Sequence, residues 1–198
     1  MTGWGYVVRC AAAVAGATAL IAGCGSSGGD GKITAAASPT TPAGPSLAAD
    51  APTGFDGCHL PSSVIASEHL NSNPRNSDNA SPPNYVWKGC DYVAYEGDGY
   101  GASIRTTNLT IPAIEHINNY VVNEHLTIDG RQAVSYHTSD ETDLRQDCIL
   151  NVKMKGGGLE ILVTNPASGK ATGTLQACDI AKKLAGDLVL APTFPPSA

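Results

Sequence analysis

The sequence has few charged residues, few aromatic residues and few of the motifs that mark metal centres or nucleotide sites. Charged residues make up 15% of the 198 residues and aromatic residues 6%, a composition compatible with an extracytoplasmic protein. Neither C-x₂-C nor H-E-x-x-H occurs, and no EF-hand loop is present, so no metal site is predicted. Gly169-Lys170 lacks the other residues of a phosphate-binding loop. No cofactor and no catalytic residue is therefore expected.

Positive charge is also scarce, and this bears on which partners the chain can bind. The formal net charge is −6. Loss of Arg9 with an N-terminal signal would leave 11 basic against 18 acidic residues, a charge of −7. Nucleic acids need a basic face, so a nucleic-acid partner is excluded. The same balance argues against electrostatic adhesion of the whole protein to anionic lipid.

Only one long apolar run is present, and it lies at the N-terminus. Arg9 precedes an apolar stretch of small residues with Leu and Ile from Ala11 to Ala22. This run is about half the ~20 residues that a membrane-spanning helix needs, so it is typical of a secretion signal. The signal ends in Leu20-Ile21-Ala22-Gly23-Cys24, which resembles a bacterial lipobox.

The lipobox predicts where the mature protein is and how it is held there. Cys24 would receive a diacylglyceryl group and become the mature N-terminus, anchoring the protein to the cell membrane on its extracytoplasmic face. Gly25 to Thr53 is rich in Gly, Ser, Ala, Thr and Pro and is predicted to be a disordered tether. We therefore expect a signal in residues 1–23, a tether in 24–54 and a single domain in 55–198.

Four of the six cysteines remain for the domain once Cys10 and Cys24 are assigned to the signal and the lipid. An even number of cysteines in an oxidising compartment favours two disulfides over a zinc site. Spacing alone leaves all three connectivities open. The four are Cys58, Cys90, Cys148 and Cys178.

The domain sequence alternates between hairpin and helix signals. Asp129-Gly130 suits a tight hairpin turn, and the apolar residues of Cys148 to Lys155 recur with a period of two. Ile114, Ile117 and Val121 are spaced as one helix face. These signals predict an α+β fold, an antiparallel sheet of about six strands with helices packed on it. The predicted segments are a helix over 61–70, a polar loop over 71–83, strands over 85–95 and 100–107, a helix from Thr110, hairpins over 126–137 and 148–163, and a helix over 174–188.

Aromatic residues concentrate in the first predicted hairpin. Aromatic side chains favour strands and fill cores, so core packing is the preferred interpretation. If they shared one exposed face, they could stack against sugars or the apolar groups of a partner. The residues of this candidate binding surface are Tyr85, Trp87, Tyr92, Tyr95 and Tyr100.

The cysteines and their neighbours together resemble the actinobacterial lipoproteins that carry domain of unknown function 3558. The resemblance covers about Phe55 to Leu190, and it implies an extracytoplasmic α+β domain with disulfides Cys58–Cys90 and Cys148–Cys178. Tyr92 stands where a Trp is expected in Gly-Cys-x-Trp. The matching segments are Cys58-His59-Leu60-Pro61, Trp87-Lys88-Gly89-Cys90-Asp91, Ile128-Asp129-Gly130-Arg131-Gln132-Ala133, Asp147-Cys148-Ile149-Leu150-Asn151-Val152 and Ala177-Cys178-Asp179-Ile180-Ala181.

The resemblance implies no catalytic residues, so function rests on location and composition. The sequence favours a non-enzymatic lipoprotein that binds a protein, glycan or lipid of the cell envelope. The alternatives are a carrier or sensor of a small apolar ligand held between sheet and helices, and an envelope hydrolase. An exposed patch, an apolar cavity, or converging His, Ser and Asp side chains would distinguish the three.

Overall fold

The computed structural model describes residues 46–196. Within them, eight antiparallel strands form one sheet that carries three helices, which confirms the predicted α+β class with two strands more than expected. The helices are α1 Ser62–Ser67, α2 Ile111–Glu115 and α3 Ala177–Val189. The strands are β1 Arg75–Asn76, β2 Asn79–Ser81, β3 Tyr85–Val93, β4 Gly101–Thr107, β5 Tyr120–Ile128, β6 Arg131–Thr138, β7 Asp147–Met154 and β8 Gly157–Thr164.

The strands are ordered β1-β3-β4-β8-β7-β6-β5, and β2 also pairs with β3. Most neighbours are hairpin partners, but β4 pairs with β8, which lies far along the chain. This pairing begins at Gly101 opposite Thr164 and ends at Thr107 opposite Gly158. The β4–β8 ladder therefore joins an N-terminal half, which ends with β4, to a C-terminal half built from β5–β8 and α3.

The main core lies between one face of the sheet and α3. The period of two predicted for β7 is confirmed, because its alternate side chains are buried on this face. The apolar stripe of α3 packs against them. The buried apolar residues of these two elements are Cys148, Leu150, Val152, Met154, Ala177, Ile180, Ala181, Leu184, Ala185, Leu188 and Val189.

A second, smaller core lies on the opposite face, where α2 covers Trp87 and Tyr136. Thr110 caps α2 by accepting a hydrogen bond from the amide of Ala113, as the sequence predicted for a helix start. The predicted helix face through Val121 is wrong: α2 ends at Glu115, and Val121 is exposed in β5. The intervening Asn residues favour turns, and the β-branched and aromatic run after them favours a strand.

The disulfides are Cys58–Cys90 and Cys148–Cys178, the pairing that the family resemblance implied. The first joins the segment before α1 to β3, and the second joins β7 to α3. Each lies within one half of the sheet, so the β4–β8 junction is held by non-covalent contacts alone among the described residues.

Two segments predicted to be irregular take part in the fold. The predicted loop over 71–83 contains β1 and β2, which add a short edge to β3. The end of the predicted tether lies against the domain: Ala51 is buried, and Leu47 packs on the second core. Asn108, which is fully buried, donates its side-chain amide to the carbonyl of Ala48 at 2.8 Å. The packed region therefore begins before the predicted boundary at Phe55.

Candidate ligand-binding groove

A groove of about 750 Å³ lies at one end of the sheet, in the range of small-molecule sites. Its walls come from α1, from the connection between β3 and β4, and from the loop that follows β8. We call it the Tyr95 groove. Its lining residues are Ile65, Ala66, His69, Leu70, Asn71, Tyr95, Glu96, Asp98, Lys170 and Ala171.

The end of α1 is fixed to the sheet by backbone hydrogen bonds. The chain leaves the helix at His69, whose carbonyl accepts from the amide of Tyr95 at 2.9 Å. Leu70 then forms an isolated antiparallel bridge with Ala94. These bonds link the segment that follows α1 to the β3–β4 connection, and so they set the distance between His69 and Tyr95.

The backbone of this groove is strained. His69, Tyr95 and Glu96 have φ values of 53°, 53° and 55°, in the left-handed region that non-glycine residues avoid. Each such residue costs about 1–3 kcal/mol and persists only when its surroundings impose it. Asp129, with φ of 44°, is the other positive-φ residue besides glycine among the described residues, and it lies in a tight hairpin turn. Tyr95 and Glu96 are the central residues of the turn that Gly97 closes onto the Ala94 carbonyl between β3 and β4, whereas His69 follows α1. Three of the four non-glycine residues with positive φ in this part of the chain therefore line the groove.

The strained residues present an aromatic pair to solvent. The rings of His69 and Tyr95 stack with centroids 4.4 Å apart and an interplanar angle of 25°. Both residues are exposed. A Cβ atom on Gly99 would lie 2.8 Å from the Tyr95 ring, so only glycine leaves room for the ring there. The pair forms a flat apolar plate with the polar ring atoms of His69 at its edge.

Charged groups also line the groove. Lys170 Nζ lies 3.6 Å from the Asp98 carboxylate, and both side chains are exposed. The Asp98 carbonyl accepts from the amide of Ala171 at 3.0 Å, which joins the two loops. Buried Asn165 holds the second loop by donating to the carbonyls of Thr172 and Leu175.

A buried carboxylate braces α1 from behind the groove. Glu68 accepts a hydrogen bond from the Tyr100 hydroxyl at 2.9 Å, and Lys183 of α3 pairs with its other oxygen. Burial first, and then the nearby Glu68, raise the pKa of Tyr100 well above its usual value. The hydrogen bond to Glu68 likewise raises the pKa of Lys183. Tyr100 is therefore a neutral structural donor that fixes α1 to the rest of the domain.

The structure separates the five aromatic residues of the candidate binding surface. Trp87, Tyr92 and Tyr100 are buried, as expected for core packing, and cannot belong to an exposed face. Tyr85 is half-buried and packs edge-on against Trp87. Tyr95 alone of the five reaches the groove. Cys24 lies outside the described residues.

A second polar cluster lies within the sheet, but it is closed to solvent. Glu160 is 3% exposed and accepts from Trp87 Nε1 at 2.9 Å, the Tyr136 hydroxyl at 2.8 Å and Arg105 at 2.7 Å. Burial first, and then Glu160, raise the pKa of Tyr136 well above its usual value. Because every donor points at one enclosed carboxylate, the cluster serves to join strands rather than to meet a substrate.

The described residues contain no group of three or more His, Cys, Asp and Glu side chains able to hold a metal ion. Nor do the histidines in this part of the chain form hydrogen bonds with serine hydroxyls. His59 forms a hydrogen bond with the Asp56 carboxylate, and His116 forms one with the Pro112 carbonyl. No helix in residues 46–196 is long and apolar enough to cross a membrane.

The sequence did not identify most of the groove. Residues 97–99 fall between two predicted strands and Gly169-Lys170 lacks a phosphate-loop motif, so neither segment predicts a site. The structure brings the two segments together. His69 had no local signal, since its role depends on a left-handed backbone set by tertiary contacts. The presence of Tyr95 in an aromatic-rich segment was the one available indication.

The antiparallel sheet, its helices and the two disulfides define an α+β domain stapled by disulfides. The family model described as protein of unknown function (DUF3558) matches residues 19–190. The chain therefore belongs to this family. No curated protein and no solved structure matches it significantly.

Proposed function

We propose that the protein is a non-enzymatic binding module of the cell envelope, anchored to the extracytoplasmic face of the membrane by lipid on Cys24. The Tyr95 groove is where it binds its ligand. The observation that carries this proposal is the coincidence of a ligand-sized cavity with an exposed aromatic pair whose two residues both have positive φ. The lipobox and the two disulfides support the assignment to the envelope.

The chemistry of the groove favours an envelope glycan as the ligand. A sugar ring has an apolar face that stacks on aromatic rings and hydroxyl groups at its edge. The His69–Tyr95 plate suits the face, while Asp98 and Lys170 supply an acceptor and a donor for the edge. An exposed groove also suits a long polymer, which must enter and leave from the side.

A small apolar ligand is the alternative, and the apolar floor formed by Ile65, Ala66 and Leu70 favours it. Such a carrier was expected to hold its ligand between sheet and helices. The cavity lies beside α1 instead, where the rim is charged. An apolar ligand would remove Asp98 and Lys170 from water without forming hydrogen bonds to them, which costs free energy.

The glycan proposal predicts that loss of the aromatic plate weakens binding while the fold survives. Tyr95→Ala should weaken binding of soluble cell-wall oligosaccharides about tenfold, because about 1–1.5 kcal/mol of aromatic contact is lost. Leu144→Ala is the control, since Leu144 is exposed to a similar extent outside the groove. Isothermal titration calorimetry measures both variants. Equal affinities of the two variants, or tighter binding of an apolar probe such as a fatty acid, would contradict the glycan assignment.

The anchor is tested separately. Cys24→Ser should abolish lipidation and shift the protein from the detergent phase to the aqueous phase in Triton X-114 partitioning. Cys10→Ser is the matched control, because that residue lies in the predicted signal and should leave partitioning unchanged. A Cys24→Ser protein that still carries acyl chains by mass spectrometry would disprove the lipobox interpretation.

A further inference from the structure

The end of the sheet opposite the Tyr95 groove has two adjoining cavities. One, of about 420 Å³, lies between the tips of the β5–β6 and β7–β8 hairpins. The other, of about 680 Å³, lies between those tips and the two ends of the described chain. They share the wall formed by Arg131, Met154, Lys155 and Gly156. We call the two together the hairpin-tip corner.

The first cavity is cationic although the protein is acidic overall. Arg131, Lys153 and Lys155 all line it. Within residues 46–196 these three have no carboxylate within 4.0 Å, whereas Lys88, Arg105, Lys170, Lys182 and Lys183 each form an ion pair. Most of the other cations are thus neutralised locally, while three unneutralised cations converge on one concavity.

Other contacts hold two of these cations, and Arg131 is held on the side of the second cavity, which Pro195 lines. The Arg131 guanidinium donates to the Pro195 carbonyl and lies 4.8 Å from the centre of the Phe194 ring. Lys153 Nζ donates to the Gln132 side chain at 3.2 Å. The acidic groups of the corner are Asp129, in the adjacent hairpin turn, and Asp50, which pairs with Lys88 at 2.7 Å.

The second cavity is mostly apolar. Ala51, Pro52, Pro195 and Pro196 line it together with Met154. A cationic cavity beside an apolar one matches a molecule with an anionic head joined to an apolar tail. Free phosphate or a soluble anion would use only the first cavity.

We propose that the hairpin-tip corner binds an anionic phospholipid of the membrane. Its phosphate lies among Arg131, Lys153 and Lys155, and the start of its acyl region lies against Met154 and the prolines. The position of the corner supports this occupant, because residues 48–54 form its wall and follow the predicted anchor at Cys24 by about 25 residues. The negative net charge argues against adhesion of the whole molecule to anionic lipid. A local cationic site can still attract an anionic headgroup, because salt screens the repulsion from acidic groups farther away.

The proposal is tested by calorimetry on the full chain carrying Cys24→Ser, so that no lipid is attached. The probes are dihexanoyl phosphatidylglycerol, dihexanoyl phosphatidylcholine and inorganic phosphate, each below any micelle concentration. Phosphatidylglycerol should bind at least tenfold more tightly than either of the others. Equal binding of the two lipids would overturn the role of the cations, and phosphate binding as tight as phosphatidylglycerol would overturn the phospholipid.

Two double variants locate the site. Lys153→Gln with Lys155→Gln should weaken phosphatidylglycerol binding about tenfold or more, since each surface cation contributes appreciably to contact with anionic lipid. Arg75→Gln with Lys182→Gln removes the same charge from other parts of the fold and should have little effect. Equal losses in both variants would show that only mean charge matters and would disprove the site. Because the background has no lipid anchor, failure here is distinct from failure of the lipobox proposal.

Discussion

Glu160 shows how a buried charge can be useful at the scale of a single residue. Its two oxygens accept from side chains on β3, β4 and β6, so one carboxylate on β8 connects four strands. The desolvation cost is large, and these three hydrogen bonds offset part of it, although the buried Nε of Arg105 has no partner among the described residues. The cluster therefore favours this strand order over alternatives in which the donors would be left without a partner.

Removing the Glu160 carboxylate should be strongly destabilising. Glu160→Ala leaves the Arg105 charge and the Trp87 and Tyr136 donors unpaired, which should lower the free energy of unfolding by about 3–5 kcal/mol. Urea denaturation followed by circular dichroism measures the change. Lys88→Ala is the control, because Lys88 belongs to an exposed ion pair with Asp50 and should have little effect. Similar losses in both variants would contradict this account of the network.

Buried tyrosines predict a loss of stability at alkaline pH. Burial raises the pKa of Tyr92 from 10.0 to about 12. In the unfolded chain this phenol ionises near pH 10, so above that pH the unfolded state binds fewer protons than the folded state. The contribution of this tyrosine to the free energy of unfolding should therefore be constant below about pH 9 and should fall as pH rises from about 10 to 12. Urea midpoints at several pH values, with tyrosine ionisation followed at 295 nm, measure this.

Tyr92→Phe provides the check on that alkaline transition. It removes one titrating phenol but keeps the ring in the core, at the cost of the hydrogen bond to the Gly57 carbonyl. The variant should be less stable at pH 7 but should lose stability less steeply between pH 10 and 12. An unchanged slope would show that Tyr92 does not contribute.

At the scale of elements, the approach of the N-terminal segment to β4 depends on glycine. A Cβ atom added to Gly57 would lie 2.1 Å from the Ile104 carbonyl oxygen. A Cβ atom added to Gly89 would lie at the same distance from the same oxygen. The two glycines directly precede Cys58 and Cys90. Close backbone contact therefore places the two cysteines where their disulfide can form.

Alanine at Gly57 should destabilise the domain, whereas alanine at Gly186 should not. Gly57→Ala forces β4 and the N-terminal segment apart and should cost about 1–3 kcal/mol or more. Gly186 lies within α3 with no atom near its added Cβ, so Gly186→Ala should stabilise by about 0.5–1 kcal/mol through helix propensity. Differential scanning calorimetry compares the two variants. A Gly57→Ala protein as stable as the parent would show that the backbone of β4 does not restrict this position.

The sequence predicted the elements that have strong local signals. The Asp129-Gly130 hairpin and the alternation in β7 were correct because turn chemistry and side-chain period are local properties. β1 and β2 were missed, since their Asn- and Ser-rich residues have no alternation and pair only because β3 is beside them. Insertion of β8 between β4 and β7 was not predictable either, because hairpin signals specify only sequential partners.

At the scale of the whole molecule, the two proposed binding sites lie at opposite ends of the sheet. β8 has eight residues and so spans about 25 Å. The hairpin-tip corner lies at its beginning and the Tyr95 groove beyond its end. A protein held to the membrane at the corner would present the groove outward, towards the cell wall.

Truncation should show where the folded domain begins. A chain starting at residue 46 keeps the contacts of Leu47, Ala48 and Ala51, and it should unfold at the temperature of the chain that starts at Cys24. A chain starting at Thr53 leaves the buried Asn108 amide without its Ala48 partner and should be less stable by about 1–3 kcal/mol. Thermal unfolding measures all three. Equal stability of the shortest chain would show that residues 46–52 belong to the tether, as the predicted boundary between residues 54 and 55 implies.

Both disulfides join cysteines that are consecutive in the domain sequence. A chain that emerges from a membrane pore with its N-terminus first exposes Cys58 and Cys90 before Cys148 appears. The first bond can therefore close while no wrong partner from the domain is present, and the second then has only its own two thiols left. Oxidative maturation of this protein should need an enzyme that makes disulfides but not one that rearranges them.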